Sequence, residues 1–336
     1  MNWYYEENGQ PVGPISQEEI ANRFDARVIT QKTRVCAEGA SQWRFLDQEP
    51  SLAHLCPQPP PMAGQGTPGR SLTLDDLRDP RELTALALLY IFSIPVYLIG
   101  LLWVLGLAIG TRGYGLIFVA FLIGLIWLLS RMVQYFALAR IKTNAIRVTE
   151  SQLPEVNEAV NRCVAAMKIA RPEVYVVQHN VWNAFAHKLA GQRFVVLYTG
   201  AIDSILLTGD ISQLTWLVGH EIGHHAAGHT RWTHTLASTG AWFVWVFLWY
   251  SRRRELTCDR IGLYCVGNVR SSLLALSNLT AGSQLAGKVS VEQAMGEWVA
   301  CRGEFFVKYS TFYSTHPPLL WRFLHLRESS AELGIG

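Results

Sequence analysis

Two long apolar runs dominate the first half of the chain. Residues 83–111 carry no charged side chain, and neither do residues 113–130, so that Arg112 alone separates the two runs. A helix needs about 20 predominantly apolar residues to cross a bilayer, and buried soluble helices of such length are rare. The pattern therefore predicts a transmembrane hairpin at residues 83–136, with spans at about 83–109 and 113–132.

Basic side chains flank this hairpin on its outer ends and almost avoid its turn. They are Arg70, Arg78 and Arg81 before it, and Arg131, Arg140, Lys142 and Arg147 after it. Such residues are retained on the cytoplasmic side of a membrane. We therefore expect a multi-pass protein of the cell (inner) membrane whose N-terminal and catalytic domains are both cytoplasmic. The first residues have no basic and apolar segments of a signal peptide.

Residues 1–55 form a polar, aromatic segment in which short periodic stretches alternate with turns. Alternation predicts a strand at residues 3–5 and another at 33–37. Ser16, followed by two glutamates, predicts the start of a helix at residues 17–24. We expect a small α+β domain.

The order of these features resembles that of GYF-like domains, which occur at the termini of bacterial membrane proteins. The shared order is W-Y-Y, G-Q, G-P-S, a helix, V-C-A-E-G and a further tryptophan. The resemblance implies an aromatic surface that binds a proline-rich peptide, with Trp3, Tyr5 and Trp43 as candidates. The alternative is that these rings form the core, because so small a domain needs its aromatic residues for burial.

Residues 56–80 are rich in proline and glycine and predict a linker. Proline runs adopt an extended backbone, and the glycines that follow restore flexibility. The run Pro59-Pro60-Pro61 suggests the hypothesis that the linker occupies the aromatic surface of its own N-terminal domain.

Residues 140–330 have the pattern of a separate, mainly helical domain with a small β-sheet. Helical spacing of apolar residues marks 154–169, β-rich runs lie at 173–177 and 194–198, and residues 210–212 begin another helix. The whole chain is therefore predicted to be an α+β multidomain membrane protein.

The helix after residue 212 carries the pattern H-E-x-x-H. Positions i and i+4 lie on the same helical face, so His220 and His224 can present two imidazoles to one metal ion. Glu221 lies about 100° round the helix, where its carboxylate can polarise a metal-bound water. The pattern is short enough to arise by chance, and the alternative is a surface helix rich in histidine.

A third ligand is expected from a carboxylate further along the chain. Glu255 and Asp259 are four residues apart and share a helical face. Glu255 can complete a two-histidine, one-carboxylate zinc site, and Asp259 can fix the tautomer of a ligand histidine. The alternative is a charged surface helix in which both acids pair with neighbouring arginines.

Three other histidines and one cysteine near the motif are not expected to bind the metal. His229 follows His220 by nine residues, whereas the longer three-histidine pattern needs ten, and on a continuing helix it would face away from His220. We therefore exclude His229 as a ligand and expect His225 and His234 to be ordinary surface residues. Cys258 is expected to be a small buried hydrophobe.

Residues 235–251 form a third uncharged run, rich in tryptophan. One membrane crossing there would place His224 and Glu255 about 30 Å apart, too far for one metal ion. Two crossings need about 40 residues, more than the intervening chain supplies. We therefore expect this run in the membrane interface or in the protein core.

Five motifs occur in an order that resembles the HtpX-like membrane metalloproteases, gluzincins related to the CAAX-prenyl-protein endopeptidases. They are N-A-F-A, a β run ending in T-G, H-E-I-G-H, S-R-x-x-E-x-x-x-D and T-H-P-P-x-x-x-R. The resemblance covers residues 140–327 and the hairpin. It implies one zinc ion per chain with His220, His224 and Glu255 as ligands, Glu221 as general base, and Asp259 behind a ligand histidine.

The resemblance also implies how substrate is held. Asn183, Ala184 and Phe185 would belong to the edge strand to which an extended substrate adds. His316 would approach the zinc and Arg322 would lie near it, and either would stabilise the oxyanion of the tetrahedral intermediate. The alternative for His316 is a helix-start residue before two prolines.

Composition supports a membrane protein rather than a nucleic-acid-binding protein. The chain is 16% charged and half hydrophobic, with a net charge of +3, whereas soluble domains carry about 25% charged residues. The six cysteines form no C-x-x-C pair, as expected of reduced cytoplasmic thiols.

Together these features predict a membrane-anchored zinc endopeptidase that hydrolyses unfolded or membrane proteins in quality control on the cytoplasmic side. Its expected partners are polypeptide substrates, the lipid bilayer and a proline-rich peptide at the N-terminal domain, and no nucleic acid. One alternative is a non-proteolytic membrane adaptor that works through its N-terminal domain. The other is a prenyl-protein endopeptidase, which would cleave only lipidated C-termini.

Overall fold

The computed structural model describes residues 2–7, 9–25, 28–30, 33–40, 42–52, 55 and 72–336. The chain forms two compact units, Met1–Pro59 and Pro60–Gly336. The run Pro59-Pro60-Pro61, proposed above as a peptide for the N-terminal domain, lies outside the described residues.

The described residues of the first unit form a four-stranded antiparallel sheet, one α-helix and a short 3₁₀ helix at Leu46–Gln48. Its strands follow the order β2-β1-β3-β4, and the helix α1 lies between β2 and β3 in sequence. The hydroxyl of Ser16 accepts a hydrogen bond from the backbone of Glu19 at 3.1 Å, as expected of a helix start. The bounds are β1 (Asn2–Glu7), β2 (Gln10–Ser16), α1 (Gln17–Asp25), β3 (Arg34–Ala37) and β4 (Arg44–Phe45).

The aromatic residues of this unit divide between core and surface. Trp3 and Tyr5 point to the same face of β1 and are each 1% exposed, packed with Ile20 and Val35. Our prediction that these two rings belong to a peptide-binding surface is corrected, because a unit this small uses them as its core. Trp43 is 38% exposed and stays a candidate.

Two long apolar helices open the second unit, after the short helix α2 (Leu74–Leu77). They are α3 (Glu82–Gly110) and α4 (Tyr114–Asn144), and both are long and apolar enough to cross a membrane. Their outward side chains include Leu102 and Ile109, which are 67% and 81% exposed. A continuous surface of this kind suits lipid better than water.

The second helix continues beyond its predicted span. Residues 133–144 of α4 stay helical, and Leu138 packs there against Tyr175, Phe194 and Val196 of the neighbouring sheet. The C-terminal end of α4 therefore packs against the β-sheet of the same unit.

The remainder of the unit is mainly helical with one small sheet, in agreement with the predicted fold class. The sheet has the order β5-β6-β8-β7, in which β6 and β8 run parallel and the other pairs run antiparallel. Its strands are β5 (Ile146–Arg147), β6 (Glu173–Val177), β7 (Ala184–Leu189) and β8 (Gln192–Tyr198). The helices are α5 (Pro154–Met167), α6 (Thr199–Thr208), α7 (Ser212–Ala226), α8 (Trp232–Ala237), α9 (Val244–Val266), α10 (Val269–Ala281), α11 (Ser283–Ala286), α12 (Val291–Cys301), α13 (Phe305–Phe312) and α14 (Leu319–Leu333).

The tryptophan-rich run 235–251 is broken into three pieces. It includes the end of α8, a 3₁₀ turn at Ser238–Trp242 and the start of α9. Ala237, Val246 and Tyr250 pack on the first turns of α3, and Trp242 donates its indole N–H to the carbonyl of Phe92 at 2.7 Å. The run therefore contributes part of the protein core.

Helices α7 and α9 approach each other at two glycines. A Cβ atom on Gly262 would lie 2.9 Å from the backbone oxygen of Trp216, and one on Gly219 would lie 3.0 Å from the Cα of Gly262. Only hydrogen atoms fit in these positions, so the two backbones pack in direct contact. The packing brings the H-E-x-x-H turn of α7 against the acidic face of α9.

We expect Gly262→Ala to destabilise the protein by about 1–3 kcal/mol, because the added methyl group collides with backbone that cannot rotate away. Thermal unfolding of the detergent-solubilised full chain measures the effect. The control is Gly296→Ala in α12, where a Cβ meets no atom within 4 Å, and where alanine favours the helix by up to about 1 kcal/mol. Equal unfolding temperatures for the two variants would contradict the packing described.

Candidate metal centre

Helices α7 and α9 together bring two histidines and one carboxylate to a single point. The Nε2 atoms of His220 and His224 lie 3.3 and 3.8 Å from the two carboxylate oxygens of Glu255. One ligand atom from each residue falls within 4.8 Å of the others. Zinc bonds of about 2.1 Å in tetrahedral geometry place ligand atoms about 3.4 Å apart. The three side chains are therefore close enough to one another to hold one zinc ion.

Asp259 supports the first of these histidines. Its Oδ1 lies 2.9 Å from Nδ1 of His220, and the side chain is 0% exposed. Burial acts to raise the pKa of Asp259, but the Arg322 guanidinium and the His220 hydrogen bond outweigh it and hold the pKa at about 2. The permanent carboxylate keeps the proton of His220 on Nδ1, which leaves Nε2 free for a metal.

Arg322 contacts Asp259 through two hydrogen bonds. Its Nε lies 2.8 Å from Oδ2 and its Nη2 lies 2.6 Å from Oδ1, and the residue is 7% exposed. We predicted Arg322 as one of two candidates to stabilise an oxyanion. The structure brings Arg322 to the cavity of the ligand residues, where its Nε and Nη2 hold Asp259, and its role at an oxyanion stays a prediction.

Glu221 lies beside the three ligand residues and next to the sheet. It is 6% exposed, and the backbone N–H of Ala186 in β7 faces its carboxylate. Burial raises the pKa of Glu221 to about 7; His220 opposes this shift and the Glu255 carboxylate adds to it. A carboxylate whose pKa is near neutrality is suited to accept a proton and then return it.

Within the described residues, strand β7 forms one edge of its sheet and pairs with β8. Alternate amides along its other side meet side chains: Ala184 donates to Asn183 Oδ1 at 2.9 Å, Ala186 faces Glu221, and Lys188 donates to His187 Nδ1 at 2.9 Å. These amides are the groups with which an added strand would pair. Asn183, Ala184 and Phe185 line a cavity of about 810 Å³ together with Glu221 and the three ligand residues.

His316 lines the same cavity from the segment before α14. Its Nδ1 lies 3.0 Å from the hydroxyl of Thr315, and its backbone N–H donates to the hydroxyl of Ser314 at 3.2 Å. The structure thus brings His316 to the same cavity as Glu221 and Glu255, two of the residues that sequence reasoning placed with it.

The prediction that His225 and His234 are surface residues is wrong for His225. That side chain is 4% exposed, and its Nε2 lies 3.1 Å from the carbonyl oxygen of Phe194. Burial lowers the pKa of His225 to about 4, so the ring is neutral. His234 is partly buried and hydrogen-bonded to the hydroxyl of Tyr250.

Sequence reasoning also missed the position of His229. Helix α7 ends at Ala226, and Gly228 has a φ of 83°, so the chain turns back instead of continuing as a helix. His229 then lies beside His224, with 3.0 Å between their Nδ1 atoms. The glycine before His229 was the signal in the sequence.

His229 and Cys258 form a second group with His224 that could hold a metal ion. Burial raises the pKa of the Cys258 thiol well above its usual value, and a thiol is a metal ligand only when it is deprotonated. In the group of His220, His224 and Glu255, the two histidines hold the pKa of the carboxyl below its usual range despite burial, so the carboxylate is charged. This group also lines the cavity. It is therefore the better candidate for a metal.

Two histidines and a carboxylate meet on one helix pair, with a buried glutamate beside them and a sheet edge close by. This arrangement defines the class of H-E-x-x-H metallopeptidases. The model of peptidase family M48 matches residues 150–244 and 232–330. The chain belongs to this family. In the first unit, the model of GYF domain 2 matches residues 3–52.

Curated relatives are also metallopeptidases or proteases. The chain is 26% identical over 181 residues to the plastoglobule-localized metallopeptidase 48 of Arabidopsis thaliana, covering 49% of this chain and 52% of that protein. It is 28% identical to the human mitochondrial metalloendopeptidase OMA1, covering 38% and 29%. It is 24% identical to protease HtpX homolog 2 of Methanosarcina acetivorans, covering 60% and 82%. The chain thus spans about half of the first relative and less of the second.

We expect Asp259→Asn to weaken zinc affinity about 10- to 100-fold, because a neutral amide no longer fixes the proton on Nδ1 of His220. Competition with a chromophoric chelator measures the affinity. The matched control is Asp210→Asn just before α7, where the carboxylate accepts the Ser212 amide at 2.9 Å, a hydrogen bond that the oxygen of asparagine can also accept. Wild-type affinity in Asp259→Asn would exclude this role for Asp259.

Proposed function

We propose that the chain is a membrane-anchored zinc endopeptidase that cleaves unfolded or membrane-emergent polypeptides on the cytoplasmic side, as in quality control of membrane proteins. The observation that carries the proposal is the position of Glu221, which lies between the ligand group and the free edge of β7. A general base is thereby next to the place where an extended chain would bind. We propose His220, His224 and Glu255 as the ligands.

Zinc, when bound by these residues, supplies Lewis acidity and lowers the pKa of its water towards neutrality. Glu221 takes the proton from the attacking water and later delivers it to the leaving nitrogen. Asp259 and Arg322 keep His220 in one tautomer. His316, which lines the same cavity from the segment before α14, is the candidate hydrogen-bond donor to the oxyanion.

Strand β7 is proposed to bind the substrate backbone. An incoming strand would replace the side-chain partners of Ala184 and Lys188 with its own carbonyl groups. The Ala186 amide, which now faces Glu221, would pair in the same way and would leave the carboxylate available for proton transfer. Because these bonds involve backbone, they favour unfolded segments without demanding a particular sequence.

Membrane proximity is supported by the composition of the cavity wall. Arg131 and Gln134 of α4 line the cavity together with β7, and the Gln134 side chain accepts the backbone amide of Ala190 at 3.1 Å. A substrate that leaves the bilayer along α4 would therefore meet the edge strand first. We propose a hairpin at 83–136 and a peptidase domain at 140–330, with both ends of the hairpin in the cytoplasm.

Replacement of Glu221 by glutamine is expected to leave zinc content unchanged and to lower the cleavage of unfolded casein by at least about 100-fold, because the amide cannot accept the proton. The control is Glu297→Gln on the exposed face of α12, which should cleave at the wild-type rate. Metal analysis and peptide release are measured on the same purified full-length samples.

The outcomes of this experiment separate the alternatives. Casein cleavage by Glu221→Gln would reject the assignment of the base. Wild-type protein that holds no stoichiometric zinc would favour a non-proteolytic adaptor. Wild-type protein that cleaves lipidated C-terminal peptides but not casein would favour a prenyl-protein endopeptidase.

For the first unit we propose binding of a proline-rich peptide at a surface that includes Trp43. Two observations support this proposal: the match of residues 3–52 to GYF domain 2, and the 38% exposure of the Trp43 ring. Aromatic surfaces are suited to bind polyproline II helices.

Substitution Trp43→Ala is expected to weaken the binding of a proline-rich peptide by about tenfold or more, as loss of a central aromatic anchor does. The probe is a synthetic peptide with two P-x-x-P repeats, titrated against the full-length protein by fluorescence anisotropy. Val28→Ala is the control, because Val28 is 54% exposed but not aromatic. Unchanged peptide affinity in Trp43→Ala would reject this surface.

A further inference from the structure

A buried carboxylate at the start of the first apolar helix has no part in the site described so far. Glu82 is the first residue of α3 and is 0% exposed. It accepts a hydrogen bond from Arg78 Nη1 at 2.6 Å, contacts the hydroxyl of Thr257 in α9, and lies 3.0 Å from Nε2 of His229. A charge buried this deeply is costly unless it is paired, and each of these contacts offsets part of that cost.

His229 connects this carboxylate to the metal centre. Its Nε2 faces Glu82, and its Nδ1 lies 3.0 Å from Nδ1 of His224. The His229 side chain is 1% exposed, so water does not compete for either nitrogen. The result is a continuous line of hydrogen bonds from the start of α3 to a proposed zinc ligand.

The protons along this line are fixed by the chemistry of its two ends. Nε2 of His224 faces Glu255, and as a zinc ligand it must offer a lone pair, so the proton of this ring is on Nδ1. That N–H donates to Nδ1 of His229, which is therefore unprotonated. The proton of His229 is then on Nε2 and donates to the Glu82 carboxylate. Every donor along the line meets one acceptor.

Each proposed histidine ligand thus has its own buried carboxylate. Asp259 reaches Nδ1 of His220 directly at 2.9 Å, whereas Glu82 reaches His224 through the ring of His229. We propose that Glu82 and His229 are positioning residues that fix the tautomer and orientation of His224, and that they tie the metal centre to the first membrane helix. The inference rests on the zinc site proposed above.

The test measures zinc affinity of the full-length protein by chelator competition, together with thermal unfolding of the zinc-free form. His229→Leu removes the acceptor for His224 and is expected to bind zinc about 10- to 100-fold more weakly. His229→Asn keeps an acceptor oxygen near Nδ1 of His224 and should recover part of the loss. Glu82→Ala should also bind zinc about tenfold more weakly. The double variant should bind zinc no more weakly than the single variant with the larger loss, because both residues act along one line.

The matched control is Asp79→Asn. Asp79 is another buried carboxylate of the same segment, 4% exposed, and it pairs with Arg253 at 3.2 Å instead of with a ring of this line. It should lose unfolding temperature but keep wild-type zinc affinity. Co(II)-substituted protein gives a second readout: its visible absorption spectrum should change in His229→Leu and not in Asp79→Asn.

The results distinguish this inference from the proposed function. Wild-type protein without zinc overturns the zinc site itself. If wild-type protein binds zinc, and His229→Leu and Glu82→Ala bind it equally well and differ only in unfolding temperature, the zinc site stands and the positioning role is overturned. Additive losses of affinity in the double variant would likewise reject a single line through His229.

Discussion

The direct contact between the backbones of α7 and α9 is the constraint on which the rest of the peptidase unit depends. Gly219 and Gly262 permit it, because any larger side chain would collide with backbone atoms. A helical face repeats every four residues, so fixing one contact fixes the positions of the side chains one turn away. The contact thereby sets the distances between the histidines of α7 and the carboxylates of α9.

Charged side chains that are buried at this helix pair have partners of opposite charge. Arg260 of α9 donates to the carbonyl oxygen of Leu77 at 3.0 Å and pairs with Glu332 of α14 at 2.7 Å. Asp79 pairs with Arg253, also of α9. Removing the partner of Asp79 would leave an uncompensated buried charge, which costs several kcal/mol, about 3–5. The Asp79–Arg253 pair joins the segment before α3 to α9, the helix that carries the proposed carboxylate ligand.

The same arrangement explains how a hydrolytic site can be built next to lipid. The polar end of α4 packs on the sheet through Leu138, and the cavity wall continues from Arg131 to the edge strand. Glu221 faces the backbone N–H of Ala186 in this strand. The apolar helix α4, the edge strand β7 and Glu221 therefore belong to one packed unit.

The sequence by itself determined what depends on spacing along one element. The apolar runs predicted α3 and α4, and the spacing of four residues predicted that His220 and His224 share a face. The same rule placed Glu255 and Asp259 together. Alternation in the first strand also put Trp3 and Tyr5 on one face, but could not tell whether that face was core or surface.

Only the tertiary structure decided which of these faces meet and where the chain turns. A helical wheel directed His229 away from the site, whereas the turn at Gly228 brings its ring to His224. Arg322 was placed near the metal site by a motif, and packing adds that two of its nitrogens hold the buried carboxylate of Asp259. Contacts between elements distant in sequence depend on packing and buried charge, and no local periodicity encodes them.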